Sequence, residues 1–259
     1  MAEDLELALE LADVADSLTV ARFRAGDLVV ETKPDLTPVS EADRDAERLM
    51  RERLGQARPA DAVLGEEYGA ADAASRRRWI LDPIDGTKNY VRGVPVWATL
   101  IALEDGGEVT VGVVSAPALG RRWWASRGAG AFLREANGDG VRRLRVSGVR
   151  ELGDAQLSFA GLEDWIAIER LEAVLELIGR CWRTRSFGDF WAYMLVAEGA
   201  MEIALDPEVS LWDLAAPQLI VEEAGGLFTD LAGVRDADRG DAVATNGLLH
   251  DAALALIGR

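Results

Sequence analysis

The chain begins with an acidic segment whose apolar residues recur every three or four positions. They are Leu5, Ala8, Leu11, Ala12, Ala15 and Leu18. Because this spacing gives a helix one apolar face, we predict a helix over residues 3 to about 24 that ends near Gly26. Pro34 and Pro38 exclude a helix between this point and Ser40. Ser40 and Asp43, three residues apart, then predict the start of a second helix.

The segment after the second helix is rich in β-branched and aromatic residues, which is typical of strands. The predicted strands cover residues 62–64, 79–81, 94–103, 109–115, 121–124 and 128–132. The later strands follow one another closely and favour an antiparallel meander. The first half of the chain is therefore predicted to contain two helices and a β-rich sheet.

Helical periodicity returns in the second half, where helices alternate with short strands. Helices are predicted over residues 165–178, 190–198 and 211–224, with a last helix ending at residue 257 and a candidate strand at 201–204. Pro217 predicts a kink or an irregular first turn in the third of these helices. No repeat or linker divides the chain. We therefore expect one catalytic domain over residues 1–259 with two lobes, 1–148 (α+β) and 149–259 (α/β).

The composition narrows the possible functions. A formal net charge of −17 argues against a nucleic-acid partner, which requires a basic face. The chain lacks a signal-peptide pattern and a membrane-spanning apolar run. We therefore expect no membrane partner and a cytoplasmic location. Cys181 and His250 are the only cysteine and histidine, so disulfides, zinc sites built from these residues and Ser-His-Asp triads have little support.

The stretch WILDPIDGTKNY, residues 79–90, carries the most distinctive chemistry. A short apolar strand leads directly into Asp82 and Asp85, followed by Gly86 and Thr87. Asp-Pro and Asp-Gly are also common turn dipeptides, so an ordinary surface turn is the alternative. Carboxylates at a sheet edge, next to a hydroxyl, favour a site for a cation.

Acidic residues at predicted strand or helix ends occur in four separated segments. They are Asp43, Glu66, the pair Asp82 and Asp85, and Asp213. Their spacing is too wide for a calcium loop but suits Mg²⁺ or Mn²⁺ held by carboxylates that converge in space. Structural alternatives remain open: Asp43 is also a favourable first-turn acid, and Asp213 with Ser210 also matches a capping box.

Several motifs together resemble the inositol monophosphatase family. They are GEE at residues 65–67, WILDPIDGTKNY at 79–90, LWDLAAPQLIVEEAGG at 211–226 and TPVSEAD at 37–43. The resemblance covers nearly the whole chain in the right order. It implies a layered αβαβα sandwich of the inositol monophosphatase/fructose-bisphosphatase type, a phosphate monoester as substrate and a homodimer.

The resemblance also implies two or three Mg²⁺ ions per subunit, with Mn²⁺ as an alternative. The implied ligands are Glu66, Asp82 and the carbonyl of Ile84 for the first ion, Asp82, Asp85 and Asp213 for the second, and Asp43 for a weaker third. Lys33 resembles a loop lysine that moves with the third ion, although a solvated lysine is an alternative.

Catalytic and phosphate-binding roles follow from the same resemblance. Glu66 and Thr87 are implied to orient and deprotonate the attacking water, with Asp43 as a third catalytic residue. Gly86 and Thr87 are expected to begin a short helix whose free N–H groups receive phosphate, beside Asp85 and Asp213. A metal lowers the pKa of water toward neutrality, which fits a chain almost without histidine.

Three further stretches resemble the histidinol-phosphatases of this superfamily more than the inositol enzymes. They are residues 93–103, 115–132 and 186–200. Histidinol phosphate carries an ammonium and an imidazole, so its pocket should offer carboxylates away from the metals. Asp189 is the candidate for this contact, with Arg185 beside it and Asn246 reaching across a dimer. A helix cap at Asp189 and a simple turn at Asn246 are the structural alternatives.

Two other hypotheses stay open at this point. Within the same chemistry, the chain could be an inositol monophosphatase or a broad phosphatase of sugar or nucleotide phosphates. The inositol assignment is weakened modestly by Asp206, which stands where inositol enzymes carry a glutamate, with Glu208 close by. From another class, the chain could be a non-catalytic metal-binding module. Glu66 and Thr87 argue against it, because a binding protein needs no water-activating pair.

Overall fold

Helices and strands alternate along the part of the chain that the structure, a computed structural model, describes: residues 2–34, 37–71, 75–136, 138 and 140–258. The helices are α1 (Ala2–Arg22), α2 (Glu41–Ala57), α3 (Thr87–Val91), α4 (Leu162–Ala167), α5 (Leu171–Arg180), α6 (Asp189–Ala197), α7 (Leu211–Glu223) and α8 (His250–Ile257). Within these ranges, no helix combines the length and the apolar composition that crossing a membrane requires.

The strands fall into a hairpin and two larger sheets. They are β1 (Val30–Thr32), β2 (Pro38–Ser40), β3 (Ala62–Gly65), β4 (Gly69–Ala71), β5 (Arg77–Asp85), β6 (Ala98–Asp105), β7 (Glu108–Ala116), β8 (Arg121–Ser126), β9 (Gly130–Glu135), β10 (Val141–Arg143), β11 (Gln156–Ser158), β12 (Arg183–Thr184), β13 (Ile203–Asp206), β14 (Leu227–Thr229) and β15 (Ala242–Thr245). β1 and β2 form the hairpin.

The larger sheet contains the strands of the first half in the order β10-β9-β8-β7-β6-β5-β3-β4. Most neighbours are antiparallel, whereas β3 and β5 are parallel. Successive residues of a strand face opposite sides of a sheet. On β5, Trp79 and Leu81 accordingly pack with α1 and α2, and Ile80 belongs to the core formed with α6 and α7.

The smaller sheet contains the strands of the second half in the order β12-β11-β13-β15-β14. Successive residues of its strands also face opposite sides of the sheet. Ala204 and Ala244 join the core around α6 and α7. Ile203, Leu205 and Val243 pack with residues of α4, α5 and α8.

Five layers result: α1 and α2, the larger sheet, α6 and α7, the smaller sheet, and finally α4, α5 and α8. Each sheet is covered on both faces, which explains its long apolar runs. This order of layers confirms the predicted αβαβα sandwich.

Several predicted boundaries were wrong. The strand predicted over residues 94–103 begins only at Ala98, and the one predicted over 201–204 covers Ile203–Asp206. β5 does not end at Leu81 but continues through both acids to Asp85, and its pairing with β6 shifts register between Asp82 and Asp85. A register shift of this kind marks a β-bulge, which bends a strand locally. The helix predicted over residues 165–178 is two helices, α4 and α5, separated at Glu169, whose φ of 59° is left-handed and interrupts helical geometry.

Helix α7 lies unusually close to the larger sheet at Gly112 of β7. A Cβ atom on Gly112 would lie 3.0 Å from the carbonyl oxygen and 3.2 Å from the Cα of Ala216. The glycine therefore allows the backbone of α7 to touch the sheet. Since Asp213 is in the first turn of α7, this contact also fixes the height of that carboxylate above the sheet.

We predict that Gly112→Val lowers the free energy of unfolding by about 1–3 kcal/mol, because the added side chain overpacks the interface with α7. Urea denaturation measures the loss. Gly55→Ala on α2 is the control, since nothing lies within 4 Å of its added Cβ. It should leave stability unchanged or raise it by up to about 1 kcal/mol. A Gly112→Val protein as stable as the wild type would contradict the tight contact.

Candidate active site

The end of β5 supplies two adjacent buried carboxylates. Asp82 and Asp85 flank the bulge, and their side chains are almost wholly inaccessible to solvent. One oxygen of Asp82, Oδ1, accepts a hydrogen bond of 2.9 Å from the backbone N–H of Ile84. One oxygen of Asp85, Oδ2, accepts a bond of 2.7 Å from the N–H of Phe190 at the start of α6. The bulge thus places two acids side by side.

Helix α7 brings a third carboxylate to the same place. Ser210 is the N-cap residue, and its N–H donates to Oδ2 of Asp213 at 2.8 Å, which is the contact that the third residue makes in a capping box. One oxygen each of Asp82, Asp85 and Asp213 all lie within 4.8 Å of one another. The capping interpretation of Asp213 is correct, and the same residue also joins the acidic cluster.

Burial and mutual repulsion make this cluster a poor place for bare negative charge. Burial first, and then the charges of Glu66, Asp85 and Asp213, raise the pKa of Asp82 well above its ordinary value. Burial and neighbouring acids likewise raise the pKa of Asp85 far above its ordinary value and that of Asp213 to about 7. The other oxygen of Asp82, Oδ2, is buried without a hydrogen-bond partner. Clustered carboxylate oxygens of this kind fit a hard divalent cation.

Glu66 approaches the cluster from the turn between β3 and β4. Its charge is among the causes that raise the pKa of Asp82. Lys33 donates from Nζ to Oε1 of Glu66 at 2.7 Å and to Oε1 of Glu67 at 2.6 Å. Burial disfavours the ammonium, but the two glutamates outweigh it and raise the pKa of Lys33. Lys33 is therefore ion-paired, and the alternative of a solvated lysine is wrong.

Thr87 begins the short helix α3 as predicted, directly after Gly86, whose φ is 83°. Its hydroxyl lies 3.0 Å from Oδ1 of Asp43 and 3.0 Å from the carbonyl oxygen of Ile84. No direct hydrogen bond joins Thr87 to Glu66 in the described part of the chain, and their expected joint action on a water stays a prediction. The side chain that the Thr87 hydroxyl contacts is Asp43 of α2, which is buried and reaches across to α3.

Asp43 has a structural role as well. Its Oδ2 accepts bonds from the N–H of Ser40 at 2.8 Å and from the Ser40 hydroxyl at 2.5 Å. Burial raises the pKa of Asp43, although the bonds from Ser40 and Thr87 oppose the shift. The capping oxygen and the oxygen that meets Thr87 are different atoms, so the cap and the site contact coexist.

A cavity of about 600 Å³ opens beside Asp85 and Asp213. Besides these two, its wall contains further acidic residues, namely Asp164, Asp189, Asp206 and Glu208, together with Lys88 and Tyr193. Tyr193 donates its hydroxyl to Asp206 at 2.5 Å. Burial raises the pKa of Asp206 to about 7 despite this bond. The cavity is thus lined both by acids of the cluster and by this second set of acids.

Asp189 lies in this wall, and its interpretation as a helix cap is wrong. Gly188 occupies the N-cap position of α6, and the N–H of Phe190 in its first turn donates to Asp85 and not to Asp189. Asp189 has a left-handed φ of 50°, and its Oδ2 accepts a bond of 2.9 Å from Asn89 of α3. A Cβ on Gly86 would lie 3.2 Å from the same oxygen. Gly86 therefore leaves room for the Asp189 carboxylate.

The structure does not bring Arg185 or Asn246 to this cavity within one chain. Arg185 is exposed and donates from Nη1 to the carbonyl of Thr184 at 2.7 Å. Asn246 is buried, donates to the carbonyl of Val149 at 2.8 Å, and accepts from the N–H of Leu248 at 3.1 Å. It lines a different cavity. The expected substrate contact of Asn246 across a dimer stays a prediction.

Several residues of the site were not predicted from the sequence. Glu67, Asn89, Asp164 and Tyr193 contact its side chains or line its cavity. Glu67, Asn89 and Tyr193 lie within stretches singled out from the sequence, but only Glu67, as the second acid of GEE, had a visible chemical signal. The contacts of the others depend on segments far apart in sequence that meet only through the sandwich.

Five alternating layers around a buried acidic cluster define the class of layered α/β phosphatases. Comparison with known proteins identifies the family. The inositol monophosphatase family matches residues 1–258, so the chain belongs to this family of phosphoric monoester hydrolases. Its fold agrees with a solved structure of extragenic suppressor protein suhB from Bartonella henselae, at a TM-score of 0.89, 30% identity and 98% coverage of both chains.

Two curated relatives are much more similar in sequence. A histidinol-phosphatase of Mycobacterium tuberculosis is 58% identical over 97% of this chain and 96% of its own length. A histidinol-phosphatase of Streptomyces coelicolor is 54% identical over 99% of this chain and 97% of its own length. The predicted resemblance to both the family and its histidinol-phosphatases is confirmed.

We predict that Thr87→Val reduces kcat by about 10²–10⁴-fold, the usual contribution of a positioned proton-transfer group, because it deletes the hydroxyl between Asp43 and Ile84. Thr87→Ser, which keeps a hydroxyl, should retain much of the activity. Phosphate release measures both, and circular dichroism checks the fold. Equal activity of the valine variant and the wild type would show that the hydroxyl has no part in the reaction.

Proposed function

We propose that the protein is a Mg²⁺-dependent phosphomonoesterase that hydrolyses L-histidinol phosphate to L-histidinol and phosphate. The observation that carries this proposal is the acidic cavity. Asp85 and Asp213 of the cluster, which lie beside Asp82, line this cavity, and so does a second set of acids outside the cluster. The first set suits metal and phosphate, and the second suits a cationic leaving alcohol.

The clustered carboxylates and the acids beside them would hold two or three divalent ions. The proposed ligands are Glu66, Asp82 and the carbonyl of Ile84, then Asp82, Asp85 and Asp213, with Asp43 for the weaker third. When bound, such ions neutralise phosphate oxygens and lower the pKa of water toward neutrality. Mg²⁺ is the proposed ion because the donors are all oxygen, and Mn²⁺ would bind the same set.

The remaining steps belong to the protein. In our proposal Thr87 orients the attacking water through its hydroxyl, which Asp43 holds in place, while Glu66 accepts the water's proton. The first N–H groups of α3 have no partner within the helix and would bind the phosphate oxygens next to Gly86. The Asp189 carboxylate lies beside Gly86, and Lys88 lines the cavity. Both side chains would limit how the ester group enters.

The choice of histidinol phosphate follows from the second set of acids in the cavity and from the two relatives. Histidinol carries an ammonium and an imidazole. Carboxylates in a partly enclosed cavity favour such cations over neutral polyols. The relatives with the highest identities reported above are histidinol-phosphatases. An inositol monophosphatase remains the alternative, since Asp206 could instead accept hydroxyl hydrogens of a polyol.

A phosphate-release panel tests the substrate. With Mg²⁺, kcat/KM should be higher for histidinol phosphate than for inositol 1-phosphate, sugar phosphates and nucleoside monophosphates, and a chelator should abolish all turnover. Preference for inositol 1-phosphate would replace the specific assignment by the alternative. No turnover of any ester with Mg²⁺ or Mn²⁺ would favour a non-catalytic metal-binding protein.

Glu208→Gln tests the second set of acids, since Glu208 lines the cavity and is exposed. A solvated ion pair contributes up to about 1 kcal/mol, so KM for histidinol phosphate should rise several-fold while KM for inositol 1-phosphate stays constant. Glu163→Gln, an exposed glutamate of α4, is the matched control. An equal rise of KM for both substrates would show that Glu208 does not recognise the positive charge of histidinol phosphate.

We further propose a cytoplasmic homodimer, as is expected from the resemblance to the family. Sedimentation equilibrium should give twice the chain mass of 28.0 kDa. If Asn246 contacts the partner's substrate, Asn246→Ala should raise KM without changing that mass. A monomeric mass for the active enzyme would exclude both the homodimer and the contact of Asn246 with the partner's substrate.

A further inference from the structure

Glu47 is a fully buried carboxylate that none of the catalytic roles above uses. It lies on α2 four residues after Asp43, so the two acids share one face of the helix. A buried charge is costly unless hydrogen bonds and an opposite charge offset the lost hydration. The contacts of Glu47 therefore indicate what this position is built to hold.

The partners of Glu47 belong to the turn that carries Glu66. Its Oε2 accepts the backbone N–H of Glu67 at 2.7 Å, and its Oε1 accepts that of Tyr68 at 3.3 Å. The N–H of Glu66 itself donates to the carbonyl of Leu81 on β5 at 3.1 Å. Three successive N–H groups of the turn are thus fixed, one by the larger sheet and two by a single carboxylate.

Gly65 is shaped around this carboxylate. A Cβ atom at Gly65 would lie 2.0 Å from Oε1 of Glu47 and 2.3 Å from its Cδ. Because such distances are sterically impossible, any side chain here would displace Glu47 from the turn. The glycine of GEE is therefore required by Glu47 and not by an unusual φ.

Arg51 closes the arrangement from the next turn of α2. Its Nε donates to Oε1 of Glu47 at 2.7 Å, and its Nη2 donates to the carbonyl of Gly69 where β4 begins. The pair Glu47 and Arg51 therefore binds N–H groups on one side of the turn and a carbonyl on the other. In this way the turn is held against α2 through its backbone.

We propose that Glu47 is a positioning residue that sets the place of Glu66 relative to Asp82 and Thr87. Helix α2 carries Asp43, which contacts Thr87, and one turn later Glu47, which fixes the backbone beside Glu66. One rigid helix thus sets both members of the proposed water-activating pair. The inference rests on the proposed function only for the role of Glu66 in catalysis.

Glu47→Gln tests the proposal, with Glu52→Gln as the matched control on the exposed face of the same helix. The amide replaces one acceptor by a donor, so one N–H of the turn or Arg51 loses its partner. By calorimetry, Glu47→Gln should bind Mn²⁺ about tenfold more weakly, as is usual when a group behind a metal ligand is altered. The control should bind as the wild type does.

Kinetics provide a second readout that simple destabilisation would not produce. For Glu47→Gln, kcat should fall and recover partly at high Mg²⁺, while KM for the phosphate ester stays constant. If this variant does not fold, Arg51→Lys is measured in its place. Lysine keeps the positive charge but lacks the guanidinium that bonds both Glu47 and the carbonyl of Gly69. Its Mn²⁺ affinity should fall by a smaller factor. Unchanged Mn²⁺ affinity in the folded variant would overturn the proposal.

The two proposals can fail separately. A wild-type protein that binds Mn²⁺ but releases no phosphate from any ester would end the proposed function and leave the calorimetric comparison valid. An active wild type whose Glu47→Gln variant matches Glu52→Gln in Mn²⁺ affinity and in kcat would end the role of Glu47 and leave the function intact.

Discussion

Repulsion among buried carboxylates is the constraint on which the site depends. Asp82, Asp85 and Asp213 lie within a few ångströms of one another, and burial raises the pKa of all three. Without a cation, they would favour the protonated state or hydration over close approach. The five-layer fold holds them together, since two packed elements carry them: β5 carries Asp82 and Asp85 on the two sides of its bulge, and α7 carries Asp213.

The starts of helices α2 and α7 hold a carboxylate of the site in place by the same contact. Asp43 and Asp213 each occupy the third position of a helix whose N-cap is a serine, Ser40 or Ser210, with nearly identical N-cap dihedrals. In each, Oδ2 accepts the N-cap N–H at 2.8 Å. This bond locks the side-chain rotamer and leaves Oδ1 for the site. The N-cap contact therefore holds the carboxylate in one orientation. The structural and functional interpretations of both residues are compatible.

Local signals were sufficient for most of the architecture. The periodicity of α1, the helix starts at Ser40 and Ser210 and the apolar run before Asp82 each depend on neighbours in sequence. The length of β5 could not be predicted, because its bulge forms only through pairing with β6. The break at Glu169 was hidden because apolar spacing continues across it. Asp189 was expected beside the substrate, but its contact with Asn89 and Gly86 requires α3 and α6 to meet, which only the packed sandwich determines. Arg185 lies outside the lining of the cavity for the same reason, whereas the contact expected of Asn246 is one across a dimer and stays a prediction.

The most direct test of the central claim is to locate the cations. Crystals grown with Mn²⁺ and measured at its absorption edge give anomalous difference peaks at each bound ion. The account predicts peaks in contact with the carboxylates of Asp82, Asp85 and Asp213, with Glu66 as a further ligand and Lys33 displaced from it. Peaks only elsewhere on the acidic surface, or none at millimolar Mn²⁺, would contradict it.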